Sequence, residues 1–227
     1  PEFVKSGMGI FSAEGLYHPF VESPVKNDLQ MKRPVLLTGS NASGKSTFLK
    51  AVAISILFAQ TIHTVPAKKY QAPFYRVFSS MALRDNIIKK ESYFVVEIKS
   101  LKRLFDADKT SEIPVFCFVD EILRGTNTVE RVSASSMLLE TLSKKNAVCM
   151  AATHDMELSR LLDGCYENFH FEEQVKGGEV IFDYRLRKGP ATSRNAILLM
   201  ESLGFEREIT GNAQKRAERF LAEGVWS

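Results

Sequence analysis

Eight residues in this chain could do chemistry together by themselves: Gly39-Ser40-Asn41-Ala42-Ser43-Gly44-Lys45-Ser46, a G-x-x-x-x-G-K-S loop of the Walker A kind. An apolar run, Val35-Leu36-Leu37, leads into it, and Thr47 followed by helix-forming Phe48-Leu49-Lys50-Ala51 leads out. Small residues let successive backbone N–H groups converge on a phosphate, and the new helix turns its positive end to the same charge. In such a cradle Lys45 reaches the β- and γ-phosphates, Ser46 holds Mg²⁺, and Thr47 can bond the α-phosphate. A Gly- and Ser-rich turn that matches by accident would lack the strand before it and the helix after it. The loop therefore specifies a nucleoside triphosphate, and leaves open what its energy is used for.

A hydrolase also needs acids opposite the loop. The run Val115-Phe116-Cys117-Phe118-Val119 ends in Asp120-Glu121. One carboxylate suits the binding of Mg²⁺, Asp120, and the next, Glu121, suits the polarising of an attacking water. Alternatively, two acids simply mark a strand end in solvent. His154 follows another apolar run, where parallel-sheet topology sets loops beside the same ligand edge, and there it could sense the γ-phosphate. Read alone, a histidine after a strand is as well explained as a surface residue or a helix cap.

The elements that must position these groups alternate between strand and helix. The periodicity predicts a strand over 35–38, a helix over 45–59, an irregular stretch over 65–78 and a half-buried helix over 92–105 with Val95, Ile98, Leu101, Leu104 and Phe105 on its apolar face. A buried strand over 115–119, a helix over 128–142 and a second buried strand over 147–152 follow. Asp155 is placed to cap a short helix. Residues 166–173 and 179–187 flank Gly177-Gly178 as an antiparallel hairpin, and 193–203 and 206–221 read as two terminal helices. The fold class is α/β, with a mainly parallel central sheet flanked by helices and a small antiparallel β portion. We divide it into a β-rich N-terminal flap over 1–34, a core over 35–205 and a C-terminal helix over 206–227 that offers a dimer contact through Ile209, Ala213, Ala217, Phe220 and Leu221. That row could equally pack on its own domain.

Composition narrows the class. The chain has 227 residues, and 30 Lys and Arg against 27 Asp and Glu leave a net charge of +3, too small a field to imply nucleic-acid binding by charge alone. Cys117, Cys149 and Cys165 show no metal-ligand spacing and read as reduced core thiols in a cytoplasmic protein. The longest apolar candidate for a membrane span, near 51–59, is broken by Ser55, and no signal peptide is visible, so no membrane partner is expected. The first residue is Pro1 rather than Met, and Pro1-Glu2-Phe3 has no evident structural role, which suggests an excised fragment with a cloning remnant.

The order Lys45, Asp120-Glu121, His154 resembles that of P-loop NTPases of the ABC-ATPase type. More narrowly, the chain resembles the C-terminal ATPase domain of the MutS DNA mismatch-repair family. The resemblance is carried by 38–47, by Val65-Pro66-Ala67, by Ser92-Tyr93-Phe94-Val95-Val96-Glu97, by Asp120-Glu121-Ile122-Leu123-Arg124-Gly125-Thr126-Asn127-Thr128 and by Ala152-Thr153-His154. A further match, Lys188-Gly189-Pro190-Ala191-Thr192-Ser193-Arg194-Asn195-Ala196, resembles the loop and helix that close the family's domain. Arg-Gly-Thr after the acidic pair is not a general P-loop feature, and it is the most specific of these matches.

The resemblance implies an ATP- and Mg²⁺-dependent ATPase working as a head-to-tail homodimer with two composite sites, in which Ser92 would face the γ-phosphate of the partner's nucleotide. It also implies that DNA is read by regions outside this chain, which alone would bind DNA weakly. Val25, Asn27 and Tyr184 match positions near the adenine, although Tyr184 is equally well read as an ordinary strand aromatic. Departures from the family point to a divergent member: Lys89-Lys90-Glu91 replaces a small Gly-containing segment before Ser92, Leu123 stands where Gly is common, and Thr128-Val129-Glu130-Arg131 replaces the usual continuation. An alternative function is a nucleotide-dependent assembly switch with little turnover. A transporter ATPase would carry an L-S-G-G-Q segment before the acidic strand, and none is present.

Overall fold

Continuous apolar runs need cover on both faces, and the chain supplies it by placing its three most apolar strands side by side. The computed structural model describes residues 1–5, 10–81, 93–107, 112–176, 179–191 and 196–224. Among these, twelve strands and six helices follow in chain order: β1 (Glu2–Phe3), β2 (Phe11–Leu16), β3 (Asn27–Met31), β4 (Val35–Thr38), α1 (Lys45–Ile62), β5 (Lys69–Ala72), β6 (Arg76–Ser80), α2 (Tyr93–Ala107), β7 (Val115–Asp120), α3 (Thr128–Ser143), β8 (Ala147–Thr153), α4 (Met156–Leu161), β9 (Glu167–His170), β10 (Glu173–Lys176), β11 (Glu179–Phe182), β12 (Arg187–Lys188), α5 (Ala196–Ser202) and α6 (Arg207–Glu223).

The result is a mixed α/β fold. A six-stranded sheet has the order β12-β9-β4-β8-β7-β6, with β12 antiparallel to β9 and the other four pairings parallel. A four-stranded mixed sheet, β1-β5-β2-β3, and an antiparallel hairpin, β10-β11, complete it, so across all described pairings antiparallel is nearly as common as parallel.

Strand alternation sorts the core onto two faces. Phe116 and Phe118 of β7 stack at 4.6 Å on the face that packs α1. Helix α1 packs on that face and shares one core cluster with Phe11, Leu16, Leu29 and Met31 of the second sheet. It is apolar nearly all round and long enough to match a membrane span by hydropathy, contrary to the sequence reading; half of it is buried within this fold. On the other face Cys117, Val119, Cys149 and Ala151 meet Leu101 and Leu104 of α2, Leu139 and Leu142 of α3 and Leu158 of α4. Burial pushes the Cys149 thiol up to about 12, consistent with an inert core group.

Four expectations need correction. Residues 65–78 are not irregular: they contain β5 and most of β6, which pairs in parallel with β7 from Arg76↔Val115 to Ser80↔Val119. As an edge strand it is half-exposed, so it lacks the apolar run that marks β7. The late hairpin is confined to β10 and β11, since β9 instead joins β4 in parallel, while Gly177 and Gly178 lie outside the described residues. On α2 the buried stripe is Glu97, Ser100, Leu101, Leu104 and Ala107, whereas Val95 and Ile98 are exposed. The segment Pro1-Glu2-Phe3 has a structural role, because β1 pairs with Gln71 and Ala72 and Phe3 stacks on Phe74 at 4.2 Å.

Asp155 occupies the N-cap position of α4, but its side chain makes no capping bond. It instead accepts from Arg131 Nε at 2.8 Å and Nη2 at 2.7 Å, a two-pronged ion pair that ties α4 to α3 with the carboxylate 6% exposed. Arg131→Ala would leave that carboxylate buried and unpaired, and should lower the urea-unfolding free energy by about 3 kcal/mol. Arg131→Lys should recover less than half of the loss, because an ammonium cannot make both bonds.

Candidate active site

Parallel register fixes what meets at the sheet edge. Thr38 pairs with Thr153 and Asp120 with Ala152, so the loop after β4, the acids ending β7 and the histidine after β8 emerge together. None of the three would be near the others in an extended chain.

The loop is built around close approaches. A Cβ on Gly39 would come within 2.5 Å of the Phe171 carbonyl, and Gly44, with φ of 108°, is the left-handed entry to α1. The Ser43 hydroxyl is buried with no hydrogen-bond partner. Lys45 is 4% exposed and folds back to donate to the carbonyls of Gly39 at 2.9 Å and Ser40 at 2.6 Å. Burial holds its pKa below the ordinary lysine value, opposed by the charges of Glu121, Asp120 and Glu173.

A cleft of about 460 Å³ is lined by Asn41, Ala42, Gly44, Lys45, Ser46 and Thr47 together with Val25, Asn27, Tyr184, Glu121 and Arg124. Not every expected residue faces it. Gly39, Ser40 and His154 line a second recess of about 480 Å³, with Asn41 shared between the two. Asn27, which does line the cleft, is also engaged with backbone, donating to the Tyr184 carbonyl at 3.0 Å and accepting from the Leu186 N–H at 2.8 Å. Tyr184 is held at φ of 52° with its ring against Gly44, at the mouth of the phosphate loop. Ser92 lies outside the described residues.

Glu121 is 5% exposed, its Oε2 lies 2.5 Å from His154 Nδ1, and Arg124 Nη2 is 3.8 Å from its other oxygen. Burial pushes the Glu121 carboxyl up, but the His154 bond and the charges of His154, Lys45 and Arg124 outweigh it, leaving the pKa below the ordinary value. The same bond raises His154 above its ordinary value. The two directions agree on an imidazolium–carboxylate pair. Arg124 and the buried acids Glu97 and Glu173 escaped the sequence reading as site residues. For Arg124 its place three residues after Glu121 is an available signal, and for Glu97 its place in the matched block 92–97; for Glu173 there is none, because sequence does not show burial.

Two observations fit a divalent cation held with a nucleotide. Asp120 Oδ1 is buried with no hydrogen-bond partner, and Ser46 lines the cleft. Hard oxygen donors of this kind suit Mg²⁺, which takes one or two protein ligands and completes its shell with phosphates and water. Among the described residues no group of three or more His, Cys, Asp or Glu side chains could hold a metal without such help.

The His154–Glu121 pair has a defined pH signature. The raised His154 pKa contributes stability that is complete below the unfolded value of about 6.5 and lost as pH rises through the folded pKa. The lowered Glu121 pKa contributes stability present above its unfolded value and lost as pH falls through the folded one. His154→Gln should therefore remove the decline in unfolding free energy that the parent protein shows on the alkaline side of about pH 6.5, measured by urea denaturation from pH 5 to 9. An identical decline in both proteins would refute the pairing.

Comparison with known families matches residues 35–221 to MutS domain V. The chain is similar to the DNA mismatch repair protein MutS of Thermotoga maritima, at 32% identity over 91% of this chain and 27% of the relative. It is 30% identical to the protein of that name from Thermus thermophilus over 87% of this chain and 24% of the relative. It is also 30% identical to that from Chlamydia pneumoniae, over 84% and 24%. The chain thus spans about a quarter of the length of the curated relatives it matches. With the phosphate loop, the acidic pair and the histidine all inside the matched region, the chain belongs to the MutS domain V family.

Proposed function

We propose that this domain binds ATP with Mg²⁺ and hydrolyses it as the motor portion of a divergent MutS-like, cytoplasmic DNA mismatch-repair or DNA-processing protein, on a P-loop core of the ABC-ATPase type built around its mainly parallel six-stranded sheet. The observation that carries this reading is that Glu121, buried and charged, lines the same cleft as Lys45, Ser46 and Thr47. Backbone N–H groups of 39–44 and the start of α1 would receive the phosphates, and Lys45 would exchange its two loop carbonyls for phosphate oxygens. Ser46 and Asp120 would hold Mg²⁺, which neutralises charge on the phosphates. Val25 and Tyr184 would flank the base, with the Tyr184 ring available to stack.

Glu121 has a more specific part. A carboxylate held below its ordinary pKa is a weak proton acceptor but a strong hydrogen-bond acceptor, so its contribution is to orient and polarise the attacking water. His154 keeps it ionised and fixes one oxygen, leaving the other toward the cleft and Arg124. Two domains would pair head to tail, each lending Ser92 to the other's nucleotide, with the apolar row of α6 that includes the exposed Ile209 and Leu221 as a further contact between copies. DNA would be recognised by regions outside this chain. A second reading, a nucleotide-dependent assembly switch with little turnover, is supported by Lys89-Lys90-Glu91, which stands before Ser92 where the family has a small Gly-containing segment.

The decisive measurements are direct. Glu121→Gln should keep ATP and Mg²⁺ binding while turnover falls about 10²- to 10⁴-fold; unchanged turnover would remove the assignment, and binding without turnover in the parent protein would favour the switch. Lys45→Ala should abolish nucleotide binding under either reading. Turnover per monomer should rise with protein concentration in step with the dimer fraction seen by sedimentation. A concentration-independent rate from a proven monomer would defeat the composite site.

A further inference from the structure

Helix α2 buries an acid where its pattern calls for an apolar side chain. Glu97 is 2% exposed in a stripe otherwise made of Ser100, Leu101, Leu104 and Ala107. Its Oε1 accepts the backbone N–H of Leu123 at 2.5 Å, and its Oε2 is buried with no hydrogen-bond partner. A carboxylate in that position is costly unless it holds something in place.

What it reaches is a turn under strain. Glu121 and Leu123 have φ of 58° and 56°, a left-handed conformation that side chains resist and that persists only where the surroundings impose it. Three contacts impose it here. The Glu121 N–H donates to the Ala152 carbonyl at 2.9 Å, the Leu123 N–H donates to Glu97, and Gly125 lies so close to Phe94 that a Cβ would come within 2.9 Å. Two of the three come from α2, so the helix and the turn form one unit. Burial raises the Glu97 carboxyl pKa, opposed by the Leu123 N–H and by Arg124. The contact itself needs only an oxygen acceptor.

We propose that Glu97 is a positioning residue for Glu121: by pinning the Leu123 amide it holds the 121–125 turn, with Glu121 and Leu123 left-handed, and so aims the Glu121 carboxylate at His154 and the nucleotide cleft. The proposal rests on the assignment of Glu121 to hydrolysis made above. It gives α2 a task beyond packing, since any shift of this helix would be felt at the water-orienting carboxylate.

The test compares Glu97→Ala, Glu97→Asp and Glu97→Gln with the parent chain, with Glu121→Gln as control. Two signals are read without nucleotide by NMR: the Leu123 amide and the downfield His154 imidazole N–H. Glu97→Ala should move the first upfield, abolish the second, and lower kcat about tenfold or more while KM for ATP stays within about twofold. Glu97→Gln keeps an oxygen acceptor, and should retain both signals and most of the turnover. Glu97→Asp is one methylene too short, and decides the matter if the alanine variant does not fold: it should behave as the alanine variant was expected to. Parent-like kcat in the alanine or aspartate variant, or an unchanged His154 signal, would overturn the proposal. If the parent protein hydrolyses nothing, or Glu121→Gln turns over normally, the assignment of Glu121 fails, and the two NMR signals still decide whether Glu97 positions it.

Discussion

Parallel pairing of β4, β8 and β7 in a single register is the constraint from which the site follows. In a parallel sheet every strand ends on the same side, so the segments leaving β4, β7 and β8 must share an edge. Here those segments carry the phosphate loop, the acidic pair and His154. The register holds because each strand is buried on both faces, with Phe116 and Phe118 against α1 and Cys117 and Val119 against α2 and α3. A slip by one residue would exchange those faces and carry Glu121 away from His154.

Close to that edge the fold concentrates buried charge. Lys45, Glu97, Glu121, Asp155 and Glu173 are all under a tenth exposed, and most are compensated by specific partners rather than by water. Glu121 has His154, Asp155 has Arg131, and Lys45 has two loop carbonyls. These contacts favour one arrangement of the loops because leaving any of the charges unpaired in a low-dielectric interior is expensive. The same region holds left-handed non-glycine residues at Ala42, Glu121, Leu123 and Tyr184. Strain and buried charge thus coincide with the residues for which nucleotide chemistry is proposed, where structure elsewhere in the molecule must sustain both.

Much of this was visible in the residue order. The phosphate loop, the strand that feeds it and the helix that leaves it follow from local steric and hydrogen-bonding requirements, and Lys45–Ile62 forms a helix as the apolar pattern demands. The strands ending at Asp120 and Thr153 were legible because a strand covered on both faces must be apolar throughout. Strand β6 was not, since an edge strand needs cover on fewer sides and carries no such mark. The parallel pairing of β9 was missed for a related reason: the Gly-Gly signal locates a turn, but how far the hairpin extends is set by which strand wins the open edge of β4.

Sequence alone therefore determined which groups could do the chemistry, because backbone geometry and side-chain type are local properties. Only the tertiary structure decided how they are held. It turned Asp155 from a cap into the partner of Arg131, tied Asn27 to the backbone at Tyr184 and Leu186, and put Glu97 beneath the Glu121 turn. Each of these depends on contacts between residues distant in the chain and on the withdrawal of water from them, and neither is encoded in any short stretch of residues.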